Sequence, residues 1–136
     1  MDIIEEILRT YHTVAIVGLS ADESRPSNRV AKHMKVHGYN VIPVNPSETE
    51  IIGLKSYPNL AAIPEPVDIV DIFRRSVDVP PIVDQAIHIG AKVVWMQDGV
   101  ENEEAAEKAR KAGIKVVMDD CIMREHRKYI GELVGG

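Results

Sequence analysis

A chain of 136 residues with 45% hydrophobic residues is long enough for one domain with its own core, and a formal net charge of -5 without a basic stripe excludes a general nucleic-acid binder. One phenylalanine and one tryptophan leave the core to Val, Ile, Leu, Ala and Met, and the single cysteine, Cys121, excludes an internal disulfide and a cysteine-rich metal centre. Asp2, Glu5 and Glu6 stand where a signal peptide carries positive charge, and no apolar run approaches the roughly 20 residues of a membrane span, so a cytoplasmic location with no membrane contact is expected.

Ile3, Ile4, Ile7 and Leu8 share one helical face and Glu5, Glu6 and Arg9 the other, which predicts a short amphipathic helix over Asp2 to Thr10, packed on a sheet edge. Val14 to Val17 is an unbroken apolar run, the pattern of a strand buried on both faces, and Gly18 ends it where the backbone must turn or come close to something. A helix is expected from about Pro26 to His37. Pro26 suits its first turn because it lacks only an N–H that would go unpaired, and Ser27 can accept from the orphan N–H groups there. Val30, Ala31 and Met34 face inward, and Gly38 closes the helix. Strand, polar loop and helix N-terminus together make a seat for an anion.

Asn40 to Pro46 reads as a second strand, on condition that Pro43, which cannot donate to a ladder, has one side of its backbone free. Ser47 to Pro66, rich in Pro, Gly, Ser and Asn, reads as a surface excursion with one helical turn at Asn59 to Ile63. Val67 to Phe73 predicts a third strand, followed by Arg74, Arg75 and Ser76 and a helix from Val79 or Pro80 to Ile89 with Ile82, Val83, Ala86 and Ile87 inward. Lys92 to Gln97 is a fourth strand, and Asn102 caps a helix to Ala112 whose alanine face, Ala105, Ala106 and Ala109, lets it lie close to a sheet. Ile114 to Met118 makes a fifth strand, and Asp119 or Asp120 caps a last helix to about Leu133.

Strands alternating with helices through short links imply right-handed parallel βαβ units. The fold class expected is a single α/β domain: a Rossmann-like, doubly wound, five-stranded parallel sheet in three layers. In such folds the ligand crevice lies outside the carboxyl ends of the strands, where the winding direction reverses. That rule selects Gly18 to Ser27, Asn45 and Pro46, Phe73 to Arg75, and Gln97 to Val100.

A dinucleotide site needs three glycines spaced Gly-x-Gly-x-x-Gly and an acid after the second strand; the chain offers Gly18 alone and then Asn45-Pro46. A receiver domain fails for want of an acidic cluster after the first strand and a lysine ending the fifth. A Walker loop and a Gly-x-Ser-x-Gly elbow are absent.

The motifs present are Val17-Gly18-Leu19-Ser20 with a Ser24-Arg25-Pro26-Ser27 helix entry, Val44-Asn45-Pro46, Phe73-Arg74-Arg75-Ser76, Trp95-Met96-Gln97-Asp98-Gly99, and Met118 to His126. In this order and spacing, over essentially the whole chain, they resemble the small stand-alone CoA-binding domain proteins, relatives of the N-terminal CoA-binding domain of the succinyl-CoA synthetase alpha subunit. The resemblance implies that coenzyme A or an acyl-CoA is bound without being transformed, in a sensing, carrying or regulatory role, with a homo-oligomer or a protein partner still open. Coenzyme A needs phosphate donors, an adenine slot and an apolar trough. Gly18 would let backbone approach a phosphate, Ser20, Ser27 and Asn28 would donate beside Pro26, and Arg25 and Arg74 would supply charge-assisted contacts. Val44, Asn45 and Pro46 would flank the adenosine, while Phe73, Met96 and Gln97 would line the rest. A side chain at Gly18, as in Gly18→Val, is expected to fill the phosphate's approach and leave the fold intact. The synthetase carries its phosphorylated histidine on a second domain, and this chain ends where that domain would begin, so no catalytic residue is expected. The alternative is an NAD(P)-binding oxidoreductase or redox-sensing module that tolerates the missing glycines; a scaffold with a vestigial crevice is the third reading.

Other residues have plainer roles. Gly18 also fits a simple tight turn, and one of Arg74 and Arg75 is expected to be an ordinary solvated charge. Asp68 and Asp71, both in the third strand, suit a cap or salt bridge better than an acid–base pair. Cys121 lies near a helix N-terminus, which favours thiolate, although a structural cysteine is the default. His126 follows it by five residues and cannot share its face. His12, His33, His37 and His88 are scattered without Glu or Cys at ligand spacing, so no metal site is expected. Trp95 and Tyr129 suit core or interface.

Overall fold

A computed structural model describes residues 2–131. The chain begins with helix α1 (Ile3–Thr10), whose first turn is capped by the Asp2 carboxylate accepting from the Ile4 N–H at 2.8 Å. Strand β1 (Thr13–Val17) leads to α2 (Pro26–Val36) and β2 (Asn40–Val44). A small hairpin of β3 (Glu50–Ile51) and β4 (Leu54–Lys55) and a 3-10 turn at Leu60–Ala62 fill the irregular stretch. Then come β5 (Ile69–Ile72), α3 (Val79–His88), β6 (Val93–Met96), α4 (Glu103–Lys111), β7 (Lys115–Val117) and α5 (Ile122–Tyr129).

The five long strands form one parallel sheet in the order β2-β1-β5-β6-β7. Winding starts at β1, goes outward to β2, then returns past β1 to β5 and runs the other way, so the reversal lies between β1 and β5. The expected doubly wound, three-layer domain is the one observed. One layer packs Val79, Val83 and Ala86 of α3 and Ala105, Ala106 and Ala109 of α4 against Ala15, Val70, Ile72, Val94 and Met96. The other packs Ile7 and Leu8 of α1, Val30, Ala31 and Met34 of α2, and Ile122 of α5 against Val14, Ile16, Ile69 and Trp95. Among the described residues no helix is long and apolar enough to cross a membrane.

Several local expectations are corrected. The stretch after β2 is more than a surface excursion, since Ile51 and Leu54 anchor a hairpin in the α1/α2/α5 layer, while the helical turn expected at Asn59 to Ile63 is present as the 3-10 turn, capped by Asn59 accepting from the Ala62 N–H at 3.0 Å. Helix α1 packs against α5 on a sheet face and not on an edge. The cap of α5 is Cys121 and neither aspartate, because Asp120 Oδ1 accepts from the Cys121 N–H and Asp119 Oδ1 from the Gly99 N–H. The expected end of this helix at Leu133 lies outside the described residues. Pro43 meets its condition. Its carbonyl, and therefore its nitrogen, faces away from β1, where the Tyr57 N–H donates to the carbonyl at 3.0 Å.

Asp68 and Asp71 separate. The Asp68 carboxylate accepts from the His12 and Thr13 N–H groups, the capping role expected for it. Asp71 caps nothing: it is 0% exposed in the central strand and neither carboxylate oxygen has a partner. Burial pushes its carboxyl well above the ordinary range near 3.8. A raised native pKa means that the folded chain holds the proton more tightly, so this group erodes stability as pH rises from 3.8 through its native value. Asp71→Asn should therefore be more stable than the parent at pH 7, by on the order of 1–3 kcal/mol, and near parity with it at pH 4. Parallel chemical denaturation at the two pH values checks this; an equal gain at both would refute the ionisation argument.

Candidate functional site

At the reversal point, beyond the carboxyl ends of β1 and β5, lies a groove. Three adjoining hollows make it up. The first, about 330 Å³, is lined by Val17, Gly18, Val44, Pro46, Leu60, Arg74 and Ile82 among others. A second, about 440 Å³, runs past Pro26, Phe73, Arg74 and Gln97 to Cys121 and Met123. Between them, Gly18, Ser20, Arg25, Pro26, Ser27 and Phe73 line a third of about 310 Å³. Gly18, Pro26, Phe73 and Arg74 each border two of the hollows.

The loop after β1 is rigid for reasons visible in its side chains. Ser27 Oγ accepts from the Ser20 N–H at 3.0 Å, Asn28 Nδ2 donates to the Ser20 carbonyl at 2.9 Å, and Asn45 Nδ2 donates to the Leu19 carbonyl at 3.0 Å. Ser27 therefore does not cap its own helix; it ties the loop to that helix. Arg25 occupies the N-cap position with no side-chain cap, Pro26 is in the first turn, and no acid is there. The positive end of α2 thus faces the groove without a carboxylate of its own. Asn28 is 2% exposed, and its Oδ1 has no partner. That orphan acceptor, at the root of the loop, suits a donor brought by water or ligand.

Gly18 has φ +87°, and a Cβ built on it would lie 2.6 Å from the Phe73 carbonyl oxygen and 2.9 Å from Arg74 Cδ. A side chain there would strike the neighbouring strand exit, which corrects the expectation that Gly18→Val leaves the fold intact. The glycine is needed because the backbones after β1 and β5 touch, and this close approach carries the Phe73 and Arg74 side chains to the groove.

Arg74 and Arg75 part company as expected. The side chain of Arg75 is 81% exposed, pairs with Asp78 at 3.1 Å and borders the second hollow alone, while Arg74 reaches Asp78 only at 3.9 Å and borders both large hollows. Gln97 is 4% exposed, and its Oε1 accepts from the Ile122 N–H at the start of α5, so it holds that helix against the groove. Met96 points the other way. It is 0% exposed in the α3/α4 layer and lines none of these hollows. Trp95 is core, its indole N–H donating to the Asp120 carbonyl at 2.9 Å. The sequence reading missed Leu60, Ile82, Arg29 and Met123 as wall residues, since nothing local marks them.

The groove combines an apolar trough at each end with backbone amides, a helix N-terminus and an arginine at its middle. Such a surface suits an elongated ligand with an anionic centre and less polar arms.

Comparison with known proteins gives the context. A family model described as "CoA binding domain" matches residues 12–127. YneT of Bacillus subtilis, described as an uncharacterized protein, is 42% identical over 123 residues, which cover 90% of this chain and 91% of that one. An ADP-forming acetate–CoA ligase of Archaeoglobus fulgidus is 29% identical over 119 residues; the match takes in 80% of this chain but only 17% of the ligase. Among solved structures, a hypothetical protein from Pyrococcus horikoshii superposes with a TM-score of 0.92 at 44% identity, covering 94% of this chain and 90% of that one.

Proposed function

The chain belongs to the CoA-binding domain family, matched over residues 12–127, and from that premise we propose that it binds coenzyme A or an acyl-CoA without transforming it. The observation that carries the proposal is the groove at the β1/β5 reversal, whose anion-friendly centre is flanked by two apolar hollows. The diphosphate lies over Gly18, Ser20, Arg25, Pro26 and Ser27, with Arg74 alongside. Adenosine occupies the hollow of Val44, Pro46, Leu60 and Ile82, with Asn45 holding the wall, and the pantetheine arm passes Phe73 and Gln97 toward Met123 and Cys121. Asn28 supports the loop from beneath, and Met96 contributes only to the core.

No member of this set is an acid–base pair or an activated nucleophile, so the role is to sense, carry or regulate. A regulatory role needs a listener, either a second copy of the chain or another protein. The dinucleotide reading gains nothing from the geometry: Asn45 binds the Leu19 carbonyl and the Ser47 N–H where a ribose-binding acid would stand.

Calorimetry of the purified chain with coenzyme A, acetyl-CoA, NAD and NADP tests the reading. Coenzyme A or its thioester should bind with one-to-one stoichiometry and at least about tenfold more tightly than either dinucleotide, a gap of about 1.4 kcal/mol. Binding of NAD as tight as that of coenzyme A would reject it.

A further inference from the structure

We propose that His33, His37 and His126 form a binding site for a divalent transition-metal ion, at the end of α2 remote from the groove. His33 and His37 are four residues apart on one face of that helix, and His126 comes from α5, which packs against it. Each contributes a ring nitrogen, and these nitrogens all lie within 4.8 Å of one another. His33 Nε2 is 2.9 Å from His126 Nδ1. Tetrahedral coordination with metal–nitrogen bonds of about 2.0–2.1 Å would place the ligand nitrogens about 3.3 Å apart. That spacing lies between the 2.9 Å contact and the 4.8 Å limit.

The second observation is the setting of His37. Its Nδ1 lies 2.7 Å from the His33 carbonyl oxygen, a contact that needs Nδ1–H as the donor and makes Nε2 the nitrogen a metal would take. A ligating histidine is commonly fixed this way, by its other N–H on a backbone carbonyl. His126 is 1% exposed and His33 and His37 are half-buried, which gives a buried anchor with two ligands within reach of a solvated ion.

The surroundings bear on the metal and its coordination number. The Tyr39 ring stands edge-on to His126 at 5.6 Å, and its hydroxyl donates to the Leu8 carbonyl at 2.6 Å. With its proton committed to that carbonyl, the hydroxyl is not a fourth ligand. Three imidazoles, with no carboxylate or thiol in the cluster among the described residues, favour zinc, copper(II), nickel or cobalt(II) over magnesium or calcium. Water or an external ligand completes the shell. When the metal enters, the proton shared between His33 and His126 moves to the far nitrogen of its ring or leaves to solvent. The bound ion would clamp α2 to α5, and by binding only the folded chain would raise its stability.

The test uses the untagged full chain, stripped by chelator and titrated at pH 7.5 with zinc by calorimetry and with cobalt(II) by visible absorption. One equivalent per chain, a tetrahedral cobalt spectrum and a zinc-dependent rise in melting temperature are expected. His37→Gln and His33→Gln, at half-buried positions, should each weaken binding at least about 100-fold and abolish the cobalt spectrum. His88→Gln, at the exposed end of α3, should leave both unchanged. Substoichiometric binding by the parent, or unchanged affinity in folded His37→Gln, would overturn the proposal.

Discussion

Replacing Gly18 with alanine is expected to destabilise the protein by roughly 2–5 kcal/mol and to abolish coenzyme A binding with it. The figure sums two costs: about 1–2 kcal/mol for a side chain at positive φ and about 1–3 kcal/mol for forcing an added atom into a packed contact. The added carbon would meet the Phe73 carbonyl oxygen at 2.6 Å, and a strand-end carbonyl cannot swing away as the tip of a flexible side chain can. Gly113 supplies the control. Its φ is +85°, but a Cβ there meets nothing within 4 Å, so Gly113→Ala should show the conformational cost alone. Denaturant titration of the two variants separates the terms. Equal losses would mean that the close approach of the β1 and β5 exits is not what Gly18 is for.

Arg74→Ala should weaken coenzyme A binding by about 1.5–3 kcal/mol, a factor of about 10–150 in Kd, with little change in stability. Arg74 borders both large hollows, and its side chain is 49% exposed, so removing it leaves no buried group unpaired. The remaining affinity should also depend less steeply on salt, because an exposed charge-to-phosphate attraction is screened over about 10 Å at 0.1 M. Arg75→Ala is the matched control. That side chain is 81% exposed and paired with Asp78, and its loss should change Kd less than about threefold. If the two variants bind alike at low and high salt, Arg74 has no place at the phosphates.

Much of this was readable along the chain. Apolar runs such as Val14 to Val17 and the alanine face of α4 declare their elements because hydrophobic periodicity is local, and strict strand–helix alternation leaves few topologies. Pro43 made the second strand conditional on one free backbone side, and the place of β2 at the sheet edge meets that condition. Asp119 and Asp120 look like capping residues for α5, yet their carboxylates answer other N–H groups, one of them Gly99 from a different turn. Ser27 and Asn28 read as ligand donors because a hydroxyl and an amide near a phosphate loop have that chemistry; in the fold Asn28 Nδ2 donates to the Ser20 carbonyl, while Ser27 Oγ accepts from the Ser20 N–H and keeps its own proton to donate. The groove's outer walls, Leu60 and Met123, come from segments far from Gly18 in sequence and carry no local mark.

The sequence by itself determined the five long strands and their helices, their parallel arrangement and the family, and it singled out the loop proposed for the ligand, since each depends on neighbours a few residues apart. Only the tertiary structure decided that Gly18 is empty for the sake of Phe73, that Met96 faces the core, that Asp71 is buried without a partner, and that His126 joins His33 and His37. Those facts turn on which side chains meet across elements, and the distance between two residues in the fold is not written in their distance along the chain.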